Sequence, residues 1–280
     1  MMRTVILPLF ILGFSASVPA GPFKPSVKQQ IQLGQDAAKQ LRKQEKVLSE
    51  KDPRSIFVRQ VGARLVSTLK NKEPWSYTFE VIENKDVNAF ALPGGPTFVY
   101  TGLLRHLRTA DELAAVMGHE MTHVRSEHWA RSYEQQQNRD LLLTVIATAI
   151  HANSMTANVL DLGKVIAGDL PYSRKVETEA DDGGFRMMID AKYNPQGMID
   201  MFRVLEKEGG KSQKFLGMDL GDHPAVQRRI ADISARLAKE TMSFPPQEPV
   251  PAAVVERQRA ADEEEKRKAE KGKGGSKGGG

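Results

Sequence analysis

The densest chemistry in this 280-residue chain lies in His119-Glu120-Met121-Thr122-His123. On a helix, positions four apart sit about 40° apart in rotation and roughly 6 Å apart along the axis, so both imidazoles address one point. Two such nitrogens suit a tetrahedral zinc ion. Glu120, one step round the helix, is placed to accept a proton from an attacking water. The plainer reading is two histidines and a glutamate on a solvated face. Against it, Leu113, Ala114, Val116 and Met117 form an apolar face one turn earlier, which carries the His119/His123 stripe inward.

Two histidines leave an ion short of ligands, and the chain narrows the choice by exclusion. It has no cysteine, so thiolate ligation, thiol catalysis and disulfides are ruled out. Three and six residues after His123 stand Ser126 and Trp129, where metzincins carry Gly and His. His128, five residues on, is out of phase and reads as a surface residue or one standing behind a ligand. A distant carboxylate is left. In Glu177-Thr178-Glu179-Ala180-Asp181, a helix would put Glu177 and Asp181 on one face and turn Glu179 away. Glu177 would then hold the metal, and Asp181 would accept the N–H of a ligand histidine and fix its tautomer. An acidic, solvated helix start, favoured by the helix dipole, accounts equally well for this composition.

These residues need elements to position them. Apolar spacing predicts helices over Gln29–Leu48 and Ser55–Leu69. Strands follow at Tyr77–Ile82 and, behind Pro93-Gly94-Gly95-Pro96, at Thr97–Tyr100. Thr109-Ala110-Asp111-Glu112 is a capping box that opens a third helix, expected to reach about Trp129. Further helices are expected at Asn138–Lys164, Val176–Ile189, Pro195–Lys207 and Pro224–Lys239. Helices, a short sheet and more helices make an α+β fold, mostly α.

The two ends read differently from the middle. Residues 1–20 combine one Arg, an apolar run and Val18-Pro19-Ala20, the form of a cleaved secretory leader. This predicts export to the periplasm, with secretion as the alternative. The Pro-rich, mixed-charge and Lys/Gly-rich stretch over 245–280 is expected to be a disordered tail, in which Ala252–Lys271 could form a frayed helix. One working domain over 21–244 remains. Leu141–Ile150, ten apolar residues, is too short to span a bilayer and reads as core, with a lid over the cleft or a membrane-facing segment as the alternatives. The formal charge of +5 is spread along the chain, and residues 251–280 alone hold eight basic and six acidic residues. Nothing in that pattern calls for a nucleic-acid partner.

Taken in order, Val87-Asn88-Ala89-Phe90-Ala91-Leu92-Pro93-Gly94-Gly95, Thr101-Gly102-Leu103-Leu104, Asp111-Glu112-Leu113-Ala114, Gly118–His123, Tyr172-Ser173-Arg174, Glu177–Asp181 and His223-Pro224 resemble the gluzincin-type zinc metallopeptidases of the HtpX, CAAX prenyl protease and BepA-like group. The resemblance covers about residues 27–240. It implies one zinc per chain held by His119, His123 and Glu177, with Glu120 as general base. It also implies a zincin-like domain whose small sheet has an edge strand, here Asn88, Ala89, Phe90 and Ala91, bordering the cleft. An extended substrate would pair with that edge. A His-Pro at the place of His223 lies near the metal in this group, which suggests an oxyanion donor or a fourth-ligand latch; a plain helix start is the alternative. HtpX and the prenyl proteases carry several membrane spans, and none is expected after Ala20. BepA-like members carry a tetratricopeptide array where this sequence has only its Pro-, Lys- and Gly-rich stretch beyond Glu240. The expected function is therefore hydrolysis of peptide bonds in unfolded or misassembled envelope proteins, with membrane-associated envelope complexes as further partners. A non-proteolytic periplasmic chaperone or binding module using the same cleft is the alternative.

Overall fold

A computed structural model of the chain describes residues 24–69, 73–135, 174–208, 214–215, 218–219 and 223–274. The expected leader over 1–20 and the helix expected over Asn138–Lys164, with its apolar run Leu141–Ile150, lie outside the described residues. In chain order the described elements are α1 (Val27–Gln44), α2 (Pro53–Val66), β1 (Thr78–Ile82), β2 (Ala89–Ala91), β3 (Pro96–Tyr100), α3 (Thr101–His106), α4 (Ala110–Arg125), α5 (His128–Gln135), α6 (Arg174–Asp190), α7 (Gln196–Glu208), β4 (Lys214–Phe215), β5 (Met218–Asp219), α8 (His223–Leu237) and α9 (Ala252–Gly274). The fold is mostly helical with a small mixed sheet, as the pattern of the sequence predicts.

Helix α4 is the axis of the molecule, buried from Ala110 to Val124. Its start is fixed by the predicted capping box, in which the Thr109 hydroxyl accepts from the Glu112 amide and the Glu112 carboxylate accepts from the Thr109 amide. It packs on α6 and α7 and lies along β2. Because α4 is buried on every side, polar groups along it must find partners or carry function.

Two glycines let α6 come close enough to matter. A Cβ on Gly184 of α6 would stand 2.9 Å from the His119 amide nitrogen, and one on Gly118 of α4 would stand 3.2 Å from the Gly184 Cα. The backbones of the two helices touch where neither carries a side chain. Without that approach, a carboxylate on α6 would not reach the histidines of α4.

The sheet has the order β1-β3-β2, with β1 parallel and β2 antiparallel to β3. β2 is therefore the edge strand that was expected. The chain turns into β3 through Gly94 and Gly95, with φ of +85° and +117°. Side chains there would be strained, and a Cβ on Gly94 would also meet the Ile31 backbone at 2.5 Å.

Two expectations need correction. The third helix stops at Arg125, short of Trp129, because Glu127 takes a left-handed backbone with φ of 50°. Its carboxylate is held there by Lys24 at 2.9 Å and by the Gln30 side-chain amide at 2.7 Å. The chain restarts as α5, and that change of direction brings His128 back against α4. Of the stretch expected to be a disordered tail, the described residues 245–274 are held to the domain: the Glu248 amide donates to Asp111, the Ala110 amide to the Glu248 carbonyl and the Val250 amide to the Arg108 carbonyl, before α9 runs from Ala252 to Gly274, where the helix over Ala252–Lys271 was the alternative. Average composition conceals the reason. Val250 and Val254 lie four apart and enter the main core, with Val254 1% exposed. Burying each is worth about 1.5–3 kcal/mol.

Candidate metal centre

His119 and His123, one turn apart on α4, turn their Nε2 atoms to the same point, 3.0 Å from each other. Glu177 reaches that point from the first turn of α6, with Oε2 3.5 Å from His119 Nε2 and Oε1 3.7 Å from His123 Nε2. All three residues are buried. The structure thus brings together the three residues expected as ligands.

The donor set fits zinc. A tetrahedral ion about 2.0–2.1 Å from each ligand holds the ligand atoms about 3.3 Å apart, close to the separations found. Neither oxygen of the Glu177 carboxylate has a hydrogen-bond partner among the described residues. Arg229 stands 3.4 Å from one of its oxygens, but a buried carboxylate that accepts no hydrogen bond is still costly unless a further cation meets it.

Electrostatics divide the three residues. Burial opposes a charge on His119, but the Asp181 hydrogen bond and the Glu177 charge outweigh it and raise its pKa. His123 goes the other way: burial, with His119 and His128 nearby, drops its pKa well below the usual range. Burial raises the pKa of Glu177, against the pull of His119 and Arg229.

Each of these two histidines has a partner behind it. His119 Nδ1 lies 2.9 Å from Asp181 Oδ1, as expected of Asp181. Burial alone would raise the Asp181 pKa; Arg229 and His119 overcome this and lower it. Arg229, on α8, donates from Nε to Asp181 Oδ2 at 2.7 Å and again from Nη2 to Oδ1, while its Nη1 stands 3.4 Å from Glu177 Oε2. Its guanidinium also lies over the Phe202 ring, 4.4 Å from the centroid. Behind His123 stands His128, their Nδ1 atoms 2.9 Å apart. Burial, partly offset by Glu179, lowers the His128 pKa to about 4.

Glu120 lies against β2. The Ala91 amide donates to its Oε2 at 3.0 Å. Burial pushes its carboxyl up to about 7, against the pull of His119 and the Ala91 amide. On β2, Asn88 accepts from the Tyr100 amide and Leu92 donates to the Pro96 carbonyl, so Ala89 and Ala91 point their backbone groups away from β3. Ala89, Phe90 and Ala91 are all buried. Of the expected edge, Ala91 meets the site directly, through its amide. His223 opens α8, and its side chain lies outside the described residues.

Sequence reasoning missed Arg229, and left His128 between the surface and a place behind a ligand, of which the structure shows the second. Arg229 lies six residues after His223 on an amphipathic helix, and its inward phase beside Val226 and Ile233 was the available signal. Glu179 was expected to point away from the metal, and it does, but onto Arg131 and His128.

A helix-borne His-Glu-x-x-His joined by a glutamate from a second helix defines the gluzincin class of metallopeptidase domains. Residues 54–237 match the description of peptidase family M48, and the chain belongs to that family. It is 31% identical over 223 residues to the putative beta-barrel assembly-enhancing protease of Vibrio cholerae, covering 75% of this chain and 44% of that one. It is 30% identical over 219 residues to the beta-barrel assembly-enhancing protease of Escherichia coli K12, again covering 75% and 44%. With the mitochondrial metalloendopeptidase OMA1 of Schizosaccharomyces pombe it shares 28% identity over 217 residues, 75% of this chain and 63% of that protein. The match therefore spans about half the length of these relatives. No helix among the described residues is long and apolar enough to cross a membrane.

Proposed function

We propose that this chain is a zinc-dependent endopeptidase, exported through its leader, that hydrolyses peptide bonds in unfolded or misassembled envelope proteins. The observation that carries this reading is the buried Glu177 carboxylate, without a hydrogen-bond partner among the described residues and facing two imidazole nitrogens beside Glu120. His119, His123 and Glu177 would hold the zinc. When bound, it supplies Lewis-acid polarisation of the scissile carbonyl and acidifies a water.

The rest falls to the chain's own groups. Glu120, made more basic by burial, takes the proton of the attacking water and delivers it to the leaving amine. The Ala91 amide fixes which carboxylate oxygen faces the strand. An extended peptide would run along β2, reading the outward backbone groups of Ala89 and Ala91 within the expected edge Asn88–Ala91 and leaving its side chains weakly selected. Such a mode favours chains already unfolded. The relatives named beta-barrel assembly-enhancing proteases support an envelope setting for this activity, and complexes that assemble there are the partners proposed.

The test is proteolysis of an unfolded casein-type substrate by the purified chain, with and without chelator, beside Glu120→Gln. One zinc per chain is expected, with chelator-sensitive cleavage and a loss of about 10²–10⁴-fold in the variant. Equal cleavage by wild type and Glu120→Gln would remove hydrolysis at this site and leave the chaperone reading. His223→Ala sorts that residue's role: lower turnover marks an oxyanion donor, higher turnover a latch, and no change a helix start.

A further inference from the structure

His128 is 0% exposed and stands edge-on to His123, ring centroids 4.7 Å apart and planes at 78°. Its Nδ1 lies 2.9 Å from His123 Nδ1, and its Nε2 lies 3.4 Å from Glu179 Oε2. Arg131 Nη1, one turn further along α5, spans both Glu179 oxygens at 3.2 and 3.1 Å. Glu179 is two residues from Glu177 on α6. A chain of contacts thus runs from one ligand histidine, through a second imidazole, to an ion pair on the helix that carries the third ligand.

The direction of these bonds follows from what a ligand must do. His123 points Nε2 at the shared centre, so that nitrogen needs its lone pair there, and the neutral ring must carry its hydrogen on Nδ1. That N–H donates to His128 Nδ1. His128 then carries its own hydrogen on Nε2, the nitrogen that faces the Glu179 carboxylate. Both hydrogens point outward from the centre, and the second faces the Glu179 carboxylate, itself anchored by Arg131, across 3.4 Å. The far nitrogen of a metal-bound histidine ordinarily meets a carboxylate, a carbonyl or water. Here a buried imidazole takes that place.

We propose that His128 is a positioning residue for the metal centre: it fixes the Nδ1–H tautomer and ring orientation of His123, and is itself held by Glu179 and Arg131. This rests on the ligand set given under the proposed function. His128 touches neither substrate nor reacting atoms; it acts on the affinity and symmetry of the site through His123.

The test compares zinc affinity, by competition with a chromophoric chelator, for wild type, His128→Leu and His128→Asn. Visible spectra of the cobalt(II)-loaded proteins are read alongside, and melting of each metal-free protein serves as a control for folding. His128→Leu is expected to weaken zinc binding by about 10–100-fold and to shift the cobalt bands. His128→Asn, whose side-chain oxygen can accept where Nδ1 did, is expected to recover most of both. Wild-type affinity in His128→Leu overturns the proposal, as does equal weakening in the two variants. Should His128→Leu fail to fold, Glu179→Gln decides: weakening of several-fold supports the role, and wild-type affinity with unchanged cobalt bands removes it. Failure of the wild type to bind zinc would instead overturn the ligand set, and this role with it.

Discussion

His119 and His123 sit one turn apart on the same helix, yet different supports stand behind them. Behind His119 is a fully buried ionic pair, Asp181 and Arg229, both under 10% exposed. Behind His123 is the neutral, buried imidazole of His128, and only beyond it a carboxylate and a guanidinium, whose side chains are 39% and 37% exposed. The first support places full charges in a dry site, where attraction is strong and an unpaired partner is expensive. The second keeps its charges near water, where they are weak and screened. Two histidines one turn apart are thus held by one arm whose charges are buried and costly to unpair and another whose charges are exposed and weak.

Cutting the buried arm should do the most damage. Asp181→Ala leaves Arg229 charged and buried, and is expected to cost about 3–5 kcal/mol of folding stability and about 10–100-fold in zinc affinity; denaturant melts and chelator competition read the two. A melt within about 1 kcal/mol of wild type would mean that the arm is solvated and the contrast false. Next comes a change that moves both arms together. Gly184→Ala puts a methyl against the α4 backbone and is expected to cost about 1–3 kcal/mol by overpacking, although alanine is the better helix former. Stability equal to wild type would show that α4 and α6 can part without loss.

The outer arm should respond least. Arg131→Ala is expected to shift stability by no more than about 1 kcal/mol, since the pair it breaks is more than a third exposed. A loss as large as that of Asp181→Ala would erase the distinction. Raising ionic strength from about 0.1 M to about 1 M should abolish even that small effect while leaving the Asp181→Ala penalty in place. The same melts in high salt check it.

Much of this was legible because the signals are local. The spacing of His119 and His123, the capping box at Thr109 and Glu112, and the shared face of Glu177 and Asp181 each follow from helix geometry within a few residues. Arg229 was not legible because its role depends on α8 lying across α6, a contact between segments far apart in sequence. The same holds for the segment after residue 245. Its composition suggests a solvated tail, yet Val250 and Val254 find a core, and Asp111 offers an acceptor, only once the domain has formed. For His128 the sequence left two places open, at the surface or behind a ligand, and the backbone decided between them. An uninterrupted helix would carry it aside, whereas the left-handed residue at Glu127 turns it inward.

The sequence alone determined which atoms could bind a metal and accept a proton, since residue type and helical period set those chemistries before any tertiary contact exists. Only the tertiary structure decided that the two helices meet at Gly118 and Gly184. It also decided that Glu177 reaches both imidazoles without a hydrogen-bond partner among the described residues, and that His119 leans on a buried ion pair and His123 on a second imidazole. Those choices rest on burial and on the close approach of distant segments, which no local pattern encodes.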